Sequence, residues 1–185
     1  MNSVHATGGG LEPDRPLGRQ GTPGDEVDRI VDAWQRERPD LDLAPLQVLS
    51  RVSRLARHLD RFRRAAFAAH DLEPWEFDVL AALRRAGEPH RLSPGQLAAE
   101  TLVASGTMTN RIDRLSARSL VVREPDPDDG RGVLVRLTEA GRTAVDAALA
   151  DLIERERSLL SSLDEADRHH LGSLLRALAL SLGHS

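Results

Sequence analysis

The 185 residues carry 25 basic side chains, every one an arginine, against 29 acidic ones, for a net charge of -4. A uniformly basic nucleic-acid binder is thereby excluded, so any such role must come from where the charges are placed. With no cysteine in the chain, disulfides, thiolate nucleophiles and thiolate-bound metals are excluded as well. The first residues lack the basic-then-apolar order of a secretion signal, and no apolar run approaches the roughly 20 residues that span a bilayer. A cytoplasmic protein with no membrane role is expected.

Residues 1–24 are punctuated by glycine and proline and hold few core formers, which predicts a disordered tail ahead of a single domain over 25–182. Asp25 and Glu26 open an added helix over 25–38, with Val27, Ile30, Val31 and Trp34 at helical spacing and Arg38-Pro39 closing it. A long helix over 45–70 repeats Val48, Leu49, Val52, Leu55, Leu59, Phe62, Ala66 and Phe67 along one side, with arginines mostly around the rest. A third, over 74–86, turns Phe77, Leu80 and Leu83 inward and stops at Gly87.

The stretch LSPGQLAAETLVASGTMTNRIDRLSARSL reads as two short helices joined by a tight turn. Ser93 caps the first, with Pro94 at the first helical position, and Ser105 caps the second in the same way. In the second, Met108, Ile112 and Leu115 recur at i, i+4 and i+7 and must pack inward. Thr107, Asn110, Arg111, Arg114 and Arg118 are left on the other faces, with Ser105 and Thr109 nearby. Arginine can grip guanine O6 and N7 bidentately and asparagine adenine N6 and N7, so this helix suits a major groove, with Ser105, Thr107, Thr109, Asn110 and Arg114 as DNA contacts. A polar outer face alone also suits an ordinary solvated helix.

The segment after this helix tips the balance. Val121-Val122 and Val133 to Leu137 read as strands around a turn built from Pro125 to Gly130, and a helix-turn-helix leading into a hairpin is the order of a winged helix. Asp126 and Asp129 brace the wing, and Arg131 reaches for a narrow, electronegative minor groove. The expected fold is mainly α with a small β-hairpin wing: a winged helix-turn-helix over 74–137 flanked by helical segments over 45–70 and 139–182.

The segments SGTMTNRIDRLSARSLV, REPDPDDGR and VRLTEAGR resemble the recognition helix, wing and next helix of the MarR family of bacterial winged-helix regulators, over Pro45 to Leu182. The resemblance implies a homodimer on a pseudo-palindromic duplex, with 45–70 and 139–182 as its all-helical dimerisation region. Its last two helices, about 139–163 and 164–182, would interlock with a second subunit through leucines 152, 159, 160, 163, 171, 174, 175 and 178. Many members carry a second arginine where this chain has Gly130, which implies one wing contact fewer.

A narrower resemblance is to the urate-responsive branch. Trp34 with the adjoining RERPDLDLAP, Asp78 in EFDVL, Arg111 in TNRIDRL and Arg123 at the wing's start fill that pattern. It implies that Trp34 and Arg111 hold an anionic purine while Asp78, normally tied to Arg123, is repelled and shifts the recognition helix. The DNA-bound repressor would thereby be released; a citrate-type or aconitate-type acid is the alternative effector. A carboxylate beside an incoming anion must move, protonate or be paired. The blander alternatives are Trp34 as a core anchor, Asp78 as a helix cap and Arg123 as its structural partner.

An enzyme lacks support: there is no glycine-rich phosphate loop, no cysteine, no tyrosine and no recognisable nucleophile, base and orienter cluster. No cofactor is expected. Neither His70 with Glu73 nor His169 with His170 has the spacing of a metal site, and His58 reads as a surface histidine, with pH sensing the alternative. A helical interaction scaffold, the other rival, has no need for Asn110, Arg114 and Arg131 to converge.

Overall fold

The computed structural model describes residues 24–127, 129 and 132–182. The expected tail, apart from Gly24, and Arg131 of the wing lie outside the described residues. The chain divides into two units, 1–57 and 58–185.

The first unit contains α1 (Glu26–Glu37) and the start of α2 (Ala44–Ala68). Asp25 is the N-cap: its carboxylate accepts from the amides of Val27 and Asp28, and the Asp28 carboxylate accepts from the Asp25 amide at 2.8 Å. This reciprocal pair satisfies donors that the first turn leaves orphaned. Val27, Val31 and Leu43 form a small core, flanked by Arg51 on Asp25 and Asp28 and by Arg54 on Glu26. Trp34 is not part of this core; it stays 52% exposed, which overturns its reading as a core anchor. Val48, Leu49 and Leu55 are bare on α2, although their spacing is that of a buried stripe.

The second unit takes in the rest of α2, then α3 (Pro74–Arg85), β1 (Arg91–Leu92), α4 (Pro94–Glu100), α5 (Ser105–Ala117), β2 (Val121–Pro125), β3 (Val133–Leu137), α6 (Glu139–Leu159), a short 3-10 turn and α7 (Glu165–Leu182). The sheet is antiparallel in the order β1-β3-β2, with Arg123 opposite Val135 and Arg91 opposite Arg136. Leu80, Leu83, Leu97, Met108, Ile112, Leu115 and Val135 are wholly buried, each large side chain contributing roughly 1.5–3 kcal/mol. Phe67 stacks on Phe77 with ring centres 4.1 Å apart.

The two expected serine caps part ways. The Ser93 hydroxyl accepts from the Gln96 amide and the Gln96 side chain accepts from the Ser93 amide, the reciprocal arrangement again. Ser105, in contrast, is the first residue of α5; Ala104, in extended conformation, is the N-cap and its carbonyl takes the Met108 amide at 3.1 Å. The helix thus begins one residue before Ser105 can cap it.

Two contacts fix α5 and the hairpin in place. Glu76 is buried, and its carboxylate accepts from the Glu73 amide at 2.9 Å and from Arg118 at 2.7 Å. Arg118 also donates to the carbonyl and carboxylate of Asp71, so it serves as a tie rather than as part of the outward set. Thr138 caps α6: its hydroxyl accepts from the Gly141 amide and lies within hydrogen-bonding distance of the carbonyls of Ser119 and Leu120. That brings Gly141 so close to the chain that a β-carbon there would sit 2.1 Å from the Leu120 carbonyl oxygen, which explains the glycine of VRLTEAGR.

Leu152 belongs to the core, not to a free surface as expected. Leu149, Ile153, Leu159, Leu160, Leu171, Leu174, Leu175 and Leu180 are exposed, and α7 has no buried residue. No described helix is long and apolar enough to cross a membrane.

Replacing Gly141 by alanine should lower stability by about 1–3 kcal/mol through forced displacement of the hairpin, read from the urea midpoint. Arg118→Ala should lower it by about 2–3 kcal/mol, because it strips a buried carboxylate of its charged partner; an unchanged midpoint would show that the Glu76 tie carries little energy.

Candidate functional site

The outward face of α5 is defined by what its other face does. With Met108, Ile112 and Leu115 at zero exposure, Thr107, Thr109, Asn110 and Arg114 must stand in solvent, and they do, with Arg111 half-buried at the edge. Thr109 commits its hydroxyl proton to the Ser105 carbonyl at 3.2 Å, leaving it an acceptor rather than a donor for an outside group. Thr107, Asn110, Arg111 and Arg114 border a shallow groove of about 520 Å³ together with Gly106, Glu73 and Trp75.

Trp75 and Glu73 join this face without any signal in the sequence pattern. The Arg114 guanidinium lies over the Trp75 ring, 4.6 Å from its centre, and Arg111 lies at 5.5 Å. Arg114 also donates to one Glu73 oxygen at 3.1 Å, and the Trp75 indole N–H donates to the other. These bonds, Trp75 first and Arg114 after it, hold the Glu73 carboxyl below its usual range.

Asp78 sits elsewhere, lining a recess of about 300 Å³ with Asp60, Arg63, Phe67, Pro74, Phe77 and Leu152. The residue is exposed, yet partial desolvation of its carboxyl raises its pKa against the pull of Arg111, Arg63 and Arg85. The expected tie to Arg123 is absent: Arg123 pairs with Asp113 of α5 at 2.6 Å. The reason is local, because α5 runs directly into β2, and Asp113 therefore meets the wing arginine first. Trp34 belongs to the first unit. At the wing, the Asp126 amide donates to the Gly132 carbonyl at 3.0 Å and the Gly132 amide to the Asp129 carbonyl at 2.8 Å, so the main chains of both aspartates take part in closing the tip.

Because the folded chain binds the Asp78 proton more tightly than the unfolded chain does, ionising it costs stability as pH rises through the ordinary carboxylate range to the raised native value. Asp78→Asn should therefore be more stable than wild type at neutral pH, with the difference fading in acid. Urea midpoints measured across that range check this, and a constant difference would contradict it.

Residues 70–132 match a family model described as MarR family. The regulator PecS of Dickeya dadantii is 37% identical over 150 residues, covering 81% of this chain and 90% of that protein. Among solved structures, a mutant MarR of E. coli complexed with operator DNA is 28% identical, with a TM-score of 0.60 over 74% of this chain and 94% of that one. BpsR of Bordetella bronchiseptica, whose DNA binding is regulated by 6-hydroxynicotinic acid, is 31% identical, with a TM-score of 0.55 over 70% and 98%. A buried row under a polar outward face, a hairpin wing following it and these matches lead to one conclusion: the chain belongs to the MarR family of winged-helix transcriptional regulators.

Proposed function

We propose that this chain is a homodimeric repressor that holds a pseudo-palindromic operator and leaves it on binding a small anion. The observation that carries the reading is the outward face of α5, where Thr107, Asn110 and Arg114 stand exposed over a fully buried row. Arg114 and Asn110 read base edges, Ser105 opens the helix where phosphates approach with Thr109 one turn on, and Arg131 is assigned to the minor groove with Asp126 and Asp129 as wing support. The relative solved with operator DNA supports this assignment. The bare leucines of α6 and α7 support a dimer, since a monomer rarely leaves so much apolar surface wet, and a two-fold dimer asks for half-sites about one helical turn apart.

For the effector, urate or a related purine is proposed first, with Trp34 and Arg111 each proposed as a ligand-binding residue. The relative regulated by 6-hydroxynicotinic acid favours a flat aromatic anion over the alternative, a citrate-type or aconitate-type acid. The switch takes a different route from the expected one. Arg123 acts through Asp113, securing the wing to α5, while Asp78 and Arg111 attract each other across α3 and α5. An anion on Arg111 competes with Asp78 for that guanidinium and so biases the position of α5. The effector shifts the equilibrium only by the difference between its affinities for the free and DNA-bound forms.

Mobility-shift titration on duplex from the region upstream of the protein's own gene, with urate, xanthine, citrate and trans-aconitate added separately, tests the reading. Salt-dependent binding is expected, as is release by a purine anion. Binding of no duplex would refute the DNA assignment, and release by none of the four would refute the switch. Arg114→Ala should lose about 1–3 kcal/mol on the selected site and relax its base preference, whereas Arg131→Ala should weaken selected and random duplexes alike. Trp34→Phe should keep DNA affinity and lose part of the response.

A further inference from the structure

We infer that Trp75, with Glu73, is a positioning platform for Arg114, so that a residue on α3 sets how strictly α5 reads its base pair. The inference rests on the assignment of Arg114 to a base edge. An arginine on an exposed helix face has many rotamers, and fixing it only when DNA arrives sacrifices part of the contact to lost side-chain entropy. Here that loss is largely taken before binding. The guanidinium carbon lies over the Trp75 ring, 4.6 Å from its centre, and a Glu73 oxygen takes one Nη2 proton at 3.1 Å. Trp75 in turn anchors the other Glu73 oxygen through its indole N–H, so the three side chains close a ring.

The geometry leaves Arg114 able to read. A guanidinium has five N–H donors; one goes to Glu73, and stacking uses none, because it engages the π face rather than the edge. Among the described residues Nη1 and the second Nη2 proton have no acceptor, and they present the paired donors that guanine O6 and N7 require. Trp75 itself is held firmly: it occupies the second position of α3, between Glu73 and the buried, doubly bonded Glu76. Arg111 over the same ring at 5.5 Å places a second cation beside the first, and the Glu73 carboxylate offsets their repulsion.

The test is selection from a randomised duplex library, sequencing the bound fraction, with binding to a random duplex measured in parallel. Wild type should prefer guanine at one base pair of each half-site. Trp75→Leu keeps apolar bulk without a π face; it should lose at least about fivefold of that preference, the low end of what a good bidentate contact provides, while random-duplex affinity changes less than about twofold. Trp75→Phe should retain most of the preference. Adding Trp75→Leu to Arg114→Ala should change nothing further, because a platform without its guest has no effect, whereas a merely structural residue would act additively. Thermal melting of each variant confirms that it is folded. If Trp75→Leu keeps the wild-type preference while Arg114→Ala abolishes it, the platform is refuted and the DNA assignment stands. If the Trp75→Leu and Arg114→Ala effects add, the platform is likewise refuted. If Arg114→Ala itself keeps the preference, the assignment of Arg114 fails and the platform fails with it.

Discussion

A carboxylate taken out of water must be paired, and the position of α5 depends on how this chain pairs one. Glu76 is 2% exposed, and left alone its charge would be untenable at that depth. Its two partners come from different elements and meet the same oxygen, Oε2: the amide of Glu73, at the start of α3, and the guanidinium of Arg118, at the end of α5. Satisfying both locks the first turn of one helix against the last turn of the other. The apolar row of α5 sets which face turns outward, and the Glu76 pair sets where along α3 that face lies. Trp75 and Glu73 then come within reach of Arg114 because they belong to the turn that Glu76 holds.

Much of this architecture is legible in the sequence wherever the signal is periodic. The Met108, Ile112 and Leu115 row gives the orientation of α5 directly, because three large apolar side chains at that spacing can share only one face. The hairpin is legible from its β-branched stretches and turn residues, but β1 is not: Arg91 and Leu92 are two residues that become a strand only by pairing with β3, and so short a segment has no alternation to detect. The Ser105 cap is misplaced because serine is a good cap in principle, while the helix start is decided by which carbonyl takes the first amide, here that of Ala104. Trp75 and Glu73 leave no local trace, since Glu73 and its partner Arg114 are 41 residues apart.

The four residues proposed for the effector show where pattern and geometry diverge. Trp34, Asp78, Arg111 and Arg123 fill a recognisable pattern, yet a residue's partner is chosen by proximity and not by type. Asp113 and Asp78 are equivalent carboxylates to Arg123, and the nearer one holds it. Freed from that role, Asp78 is left half in solvent, its ionised form disfavoured by partial burial and favoured by three arginines. A group so balanced is responsive to any nearby change in charge. The periodic stripe on α2 carries a related lesson: periodicity identifies residues suited to burial, but not whether the same chain covers them, and Val48, Leu49 and Leu55 are bare.

The junction between β3 and α6 has a mechanical meaning. Only Thr138 separates the strand from the helix, and its hydroxyl meets the main chain on both sides, while Gly141 presses against Leu120 with no room for a methyl group. Such a junction contains no hinge. The paired strands and the first turns of α6 therefore move as one lever: a rotation of that helix by a few degrees would be delivered to the strand ends at Pro125 and Val133, multiplied by the length of β3.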